Sequence, residues 1–164
     1  MNELKIRQYQ DIDCDVISKM FGDFIVYLAT IDPINRIINK QSGYGENYLK
    51  KTLKDVKNRK GIFLIAEMKN TIVGFGVAII ATLSKDELME VVPHTPGRVT
   101  ELFVDNQYRG MGIGTKIMDQ LEIYLKQNGC NSINIEVFAP NNKTHDLYKK
   151  LDYVDRNVDM IKVF

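Results

Sequence analysis

The 164-residue sequence predicts a single α/β domain. Three observations carry that expectation. Period-two apolar segments alternate along the chain with helical stripes, one strand runs through a glycine-rich loop directly into such a helix, and no internal repeat, low-complexity tract or interdomain linker breaks the series. With 45% hydrophobic and 26% charged residues the chain can bury a core, which excludes a disordered or fibrous protein.

Leu4 and Ile6 alternate with Lys5 and Arg7 in a strand from Leu4 to Tyr9, and Asp11-Ile12-Asp13 supplies capping residues for a first helix. Val16, Ile17, Met20, Phe24, Tyr27 and Leu28 form the stripe of that helix, which Pro33 stops or bends. Gln41 to Glu46 reads as a flexible loop, after which Tyr48, Leu49, Leu53 and Val56 mark a second helix. Its Lys50, Lys51, Lys54 and Lys57, with Lys60 beyond, read as a solvated face rather than a nucleic-acid patch. Gly61–Met68 and Thr71–Ile80 are β-rich and flank Lys69-Asn70, the pattern of a hairpin. Ser84 to Gly97, polar and carrying Pro93 and Pro96, reads as a loop or insertion at the sheet edge. Arg98 to Val104 is a strand, and Ile113, Ile117, Leu121, Tyr124 and Leu125 stripe the helix after the glycine loop. Asn128-Gly129 ends that helix, Ser132 to Phe138 alternates as a strand, and Pro140-Asn141-Asn142 caps a short helix through Leu151. Tyr153 to Phe164 completes the reading as a final strand or strands.

Lysine plus arginine is 22 against 21 acidic residues, a net charge of +1, so nothing draws the chain as a whole to nucleic acid or a membrane surface. No apolar run approaches the roughly 20 residues needed to span a bilayer, and the first residues lack a secretory signal, so the default expectation is cytoplasmic. Cys14 and Cys130 are expected to be unpaired thiols in a reducing compartment. His94 and His145 lack the ligand spacing zinc demands, and no metal is expected.

Gly110, Gly112 and Gly114 let backbone approach a ligand closely, and the helix after them offers unpaired N–H groups and a positive dipole end. With Arg109 alongside, that combination suits a pyrophosphate. A phosphate-binding P-loop is excluded because no Lys-Ser/Thr pair follows the glycines. A dinucleotide fingerprint needs GxGxxG after the first strand of a βαβ unit, whereas this loop is GxGxG and lies late in the chain. Gln107-Tyr108-Arg109-Gly110-Met111-Gly112-Ile113-Gly114, after a strand, resembles the R/Q-x-x-G-x-G/A motif of the GNAT N-acetyltransferases. Asn141, Tyr148 and Leu151-Asp152-Tyr153 resemble that family's downstream helix, with Asp152 where the family usually has glycine. A left-handed backbone is the conformation that would call for glycine there.

The resemblance, strict over Arg98 to Tyr153, implies a mixed, mostly antiparallel twisted sheet of about six to seven strands, flanked by helices on both faces and splayed after the strand ending at Val104. It implies acetyl-CoA as cosubstrate. The amides of Gly110, Met111, Gly112, Ile113, Gly114 and Thr115, with Arg109, would hold its pyrophosphate, while the main chain of Leu102, Phe103 and Val104 and the side chain of Asn141 would contact pantetheine. Tyr148 matches the family's general acid, a phenol that protonates the departing CoA thiolate. Glu101 is the best-placed carboxylate for a general base, with water-mediated deprotonation as the alternative and loop residue His94 a weaker one. Cys14 has no neighbouring histidine to activate it as an acyl carrier. The implied activity is direct acetyl transfer to a primary amine of a small molecule or peptide; a non-catalytic acyl-CoA-binding module is the alternative. Tyr27, Asp32, Tyr44, Glu46 and Tyr48 are the aromatic and acidic residues that could receive a cationic amine. Homodimers are common in the family, and no residue pattern in the sequence bears on that.

Overall fold

A computed structural model describes residues 4–37 and 42–164. In chain order the elements are β1 (Leu4–Gln8), α1 (Cys14–Ile31), α2 (Tyr44–Asn58), β2 (Ile62–Met68), β3 (Thr71–Ile80), α3 (Glu87–Glu90), β4 (Pro96–Val104), α4 (Ile113–Gln127), β5 (Ser132–Ile135) and α5 (Asn142–Lys150). The strands form one sheet in the order β1-β2-β3-β4-β5, antiparallel until the last junction, where β4 and β5 run parallel. Lys69 and Asn70, both at positive φ, make the tight turn of the β2–β3 hairpin.

The period-two alternation sorts side chains onto two cores. Ile62, Leu64, Ala66 and Met68 of β2 pack with Ile117, Met118, Leu121 and Leu125 of α4. Phe63 and Ile65, from the same strand, face Ile17, Phe21 and Leu49 of α1 and α2 on the other side. A strand covered on both faces is apolar almost throughout, as this one is.

Four local expectations need correction. The sheet has five strands among the described residues, because no strand forms after Tyr153. There Asp155 is tied to His145 (2.7 Å) and Lys149 (2.7 Å) of α5, and Val154, Val158, Met160 and Ile161 face solvent, so the segment takes no place beside β5. Second, β5 stops at Ile135 instead of Phe138, and β4–β5 pairing ends at Val99↔Ile135. The splay therefore opens in mid-strand, leaving the edge of β4 from Thr100 to Val104 unpaired on that side, and not after Val104. Third, Ser84–Gly97 is not loop throughout: Ser84 and Glu87 form reciprocal bonds (Glu87 N–H to Ser84 Oγ 3.2 Å, Ser84 N–H to Glu87 Oε2 2.7 Å) beside the single turn α3. Fourth, α2 begins at Tyr44, behind left-handed Gly43, so Tyr44 to Glu46 of the expected loop is helical and Gln41 lies outside the described residues.

Candidate functional site

The glycine loop joins β4 to α4 in the geometry its composition calls for. Gly110 (φ +80°) and Gly112 (φ +77°) take the left-handed backbone that other residues adopt at a cost, and Gly112 stands at the N-terminal boundary of α4. The first N–H after Arg109 to reach a backbone carbonyl is that of Lys116, on Gly112 (3.2 Å), so the amides from Gly110 to Thr115 have no backbone acceptor among the described residues. A run of free donors at the positive end of a four-turn helix is a receptor for an anion. Gly114 meets α5: a Cβ there would lie 3.4 Å from Leu147.

Beside the loop, Val104 presents its carbonyl on the unpaired side of β4, where it accepts from Arg109 Nε (2.9 Å). The Arg109 guanidinium lies 4.5 Å from the ring centroid of Tyr27 and 5.8 Å from that of Phe103. Tyr27 in turn donates through its hydroxyl to Asn141 Oδ1 (3.1 Å). Asn141 occupies the N-terminal boundary of α5 but its side chain caps nothing, which corrects the expected capping role. Phe103 is buried in the aromatic cluster with Phe24 and Phe75, while Leu102 and Val104 pack toward α4.

Tyr148 is 5% exposed on α5, its ring 5.8 Å from that of Tyr153. Its hydroxyl makes no hydrogen bond among the described residues, whereas the neighbouring Tyr153 hydroxyl is engaged by Glu122 (3.0 Å). Burial pushes the Tyr148 phenol well above the usual tyrosine value, so at neutral pH it is a proton donor without a partner. Asp152, at φ +64°, takes the left-handed conformation expected where the family usually has glycine, and Tyr153 N–H closes back on the Tyr148 carbonyl (3.0 Å).

Glu101 is 8% exposed and faces α2, where Tyr48 donates to its Oε1 at 2.6 Å. Desolvation pushes its carboxyl up from 4.5 to about 7, against the opposing pull of the Tyr48 hydroxyl and the Lys51 charge. Strict alternation along β4 would put Glu101 on the face of both Val99 and Phe103. A bulge corrects half of that: Val77 pairs with Glu101 but Ala78 pairs with Val99, leaving Thr100 as an extra residue. Glu101 thus shares the α1/α2 side with Phe103, and Val99 turns into the α4 core. Neither the bulge nor the Tyr48–Glu101 bond, across 53 positions, has a signal in local sequence.

The residues considered for an amine separate. Tyr44 stacks on Tyr48 (5.3 Å) next to Glu101, and the Glu101 charge adds to burial in raising its phenol. Asp32 is spent on the chain itself, accepting from the amides of Ile34 (3.1 Å), Arg36 (2.6 Å) and Ile37 (3.0 Å). Burial pushes its carboxyl up, and those three donors outweigh it and hold the group below the usual range. The face of Tyr27 is taken by Arg109. Glu46 and Cys14 line a groove of about 790 Å³ between α1 and α2 that includes neither the glycine loop, Glu101 nor Tyr148. His94 donates through Nδ1 to the Val92 carbonyl (2.9 Å).

The model of the Acetyltransferase (GNAT) family matches residues 31–153. An uncharacterized N-acetyltransferase of Methanocaldococcus jannaschii is 26% identical over 137 residues, which are 83% of this chain and 57% of that protein. Thialysine N-epsilon-acetyltransferase of Sus scrofa is 25% identical over 156 residues, 92% of this chain and 84% of that one. Among solved structures, glucosamine-6-phosphate N-acetyltransferase from Arabidopsis thaliana matches in fold with a TM-score of 0.66 over 99% of both chains at 16% identity. A family match over three quarters of the chain, taking in the glycine loop and α5, makes this chain a member of the GNAT acetyltransferase family.

Proposed function

We propose that the chain is an acetyl-CoA-dependent N-acetyltransferase acting in the cytoplasm on a primary amine by direct nucleophilic attack. The observation that carries this reading is the run of unpaired amides from Gly110 to Thr115 opening beside the unpaired edge of β4. The amides and the Arg109 guanidinium receive the pyrophosphate, and the pantetheine arm runs along Leu102, Phe103 and Val104 toward Asn141. Glu101, poised near neutrality, takes a proton from the ammonium directly or through water. The amine nitrogen then bonds to the thioester carbon, the carbon–sulfur bond breaks, and Tyr148 delivers its proton to the leaving sulfur. Tyr44 and Tyr48 flank the carboxylate that draws the cationic acceptor in.

The test is calorimetric titration with acetyl-CoA and with CoA, followed by thiol release against a panel of polyamines, amino sugars and peptide amines. The name of the Sus scrofa relative adds side-chain amines of lysine-like amino acids to that panel. Release that depends on one amine, reduced about 100-fold or more by Tyr148→Phe with CoA binding retained, is the expected result. Tight CoA binding without release across the panel makes the chain an acyl-CoA-binding module instead. No binding at millimolar cofactor would reduce the glycine loop to a turn.

A further inference from the structure

We propose that Tyr27 is a positioning residue that sets Arg109 and Asn141 for the two ends of an acyl-CoA arm; this rests on the reading of the glycine loop as a CoA site. Arg109 and Asn141 belong to the two sides of the β4/β5 gap, one in the loop between β4 and α4 and the other between β5 and α5. One side chain of α1 touches both. Its ring lies under the Arg109 guanidinium at 4.5 Å, and its hydroxyl donates to Asn141 Oδ1 at 3.1 Å.

Each contact fixes a group that its own element leaves loose. Arg109 is exposed, and a long side chain of this kind loses much rotamer freedom when it is ordered on a ligand. The Tyr27 face and the Val104 carbonyl order it beforehand, with Nε used on the carbonyl and the terminal nitrogens bonded to nothing among the described residues. Those free N–H groups are what a diphosphate takes. The Asn141 side chain makes no bond to the N-terminus of α5, so its rotamer is not set by the helix it precedes. The Tyr27 hydroxyl engages its oxygen and leaves both N–H groups of the amide to donate into the gap, where carbonyls of a pantetheine arm would accept. The same residue therefore serves the charged end and the amide end of one ligand, by two different interactions that substitution separates.

Tyr27→Phe keeps the ring and deletes the hydroxyl; Tyr27→Leu deletes both. Calorimetry with CoA and with S-acetylpantetheine, which has the arm but no diphosphate, reads the two ends. Tyr27→Phe is expected to weaken both ligands about 3- to 10-fold, the worth of one hydrogen bond. Tyr27→Leu is expected to weaken CoA further, by about 2- to 5-fold, and S-acetylpantetheine no further, because only CoA meets the guanidinium. With an amine substrate, KM for acetyl-CoA rises in Tyr27→Phe while kcat and KM for the amine stay as in the wild type. Wild-type affinity for both ligands in Tyr27→Phe overturns the proposal, as does a loss confined to the KM of the amine, which would put Tyr27 in the acceptor site. The thermal midpoint of Tyr27→Phe, expected unchanged, shows that the fold is intact if Tyr27→Leu fails to fold. A wild-type chain that binds no CoA is a different failure, that of the CoA reading itself.

Discussion

Glu101 folds into surroundings that favour its neutral form, since an almost dry position beside two tyrosine rings stabilises a carboxylic acid over a carboxylate. Its folded value of about 7, against 4.5 for the free group, corresponds to on the order of 3 kcal/mol. Between those two values the folded chain binds more protons than the unfolded one, so this group's contribution to stability falls as pH rises from about 4.5 through about 7. Glu101→Gln keeps an oxygen for the Tyr48 hydroxyl and carries no charge at any pH. The thermal midpoint of the variant relative to wild type should therefore be near parity at pH 4.5 and clearly higher at pH 8; all other carboxyls titrate alike in both and cancel. Activity runs the other way. A base must be ionised, so wild-type kcat/KM should climb with pH through about 7, and the variant should lose that inflection and about 100-fold in rate, keeping only the rise from the amine's own titration. An inflection near 7 that survives in the variant would belong to another group and would remove Glu101 from the role of base.

At the scale of elements, α2 places Tyr48 against Glu101, and α2 sits where it does because Gly45 lets its first turn lie on the backbone of α1. A Cβ at Gly45 would overlap the Ser18 carbonyl oxygen, a backbone atom that cannot turn aside, and would come within 3.4 Å of Gly22 N. Gly45→Ala should push α2 outward and cost about 1–3 kcal/mol in denaturant unfolding. Unchanged stability would mean that the two helices part freely. This close approach shows what the sequence could and could not convey. Gly45 read as part of a loop because nothing local marks a glycine that serves a neighbouring helix. The hairpin strands were legible because alternation within one segment decides their faces, and the glycine loop because the φ angles it needs are a property of its own residues. The Thr100 bulge was not, since it is defined by register against β3. The expected strand from Tyr153 failed for a related reason: β-rich composition names a strand former, but pairing needs a partner, and Asp155 is held by His145 and Lys149 of α5.

For the molecule as a whole, the legible part of the candidate site is the part contained in one stretch, β4 through α5, and the part supplied by α1 and α2 emerges only from packing. Tyr27 reaches Asn141 across 114 positions and Tyr48 reaches Glu101 across 53. The same division governs how a ligand should act on stability. Beyond Val99 and Ile135 no hydrogen bonds join β4 to β5 among the described residues, so the sheet contributes nothing to closing the gap between β4 and the segment that leads from β5 into α5. A CoA molecule seated on the Gly110–Thr115 amides and on Asn141 would bridge it, binding the folded chain and not the unfolded one. At 100 times its dissociation constant such a ligand adds about 2.7 kcal/mol. For a chain of this size that is about 5–10 °C in the thermal midpoint, rising with the logarithm of CoA concentration. The diphosphate contacts are screened by salt and the pantetheine contacts are not, so the shift given by CoA should shrink between low and high ionic strength while any shift given by S-acetylpantetheine holds. Hydrogen exchange should slow in residues 136–148, which lead from β5 into α5, more than in the β2–β3 hairpin, which is already paired along its length. A midpoint indifferent to millimolar CoA at every salt concentration would mean that the amides of the loop meet only water, and that the gap beside β4 serves something other than a CoA arm.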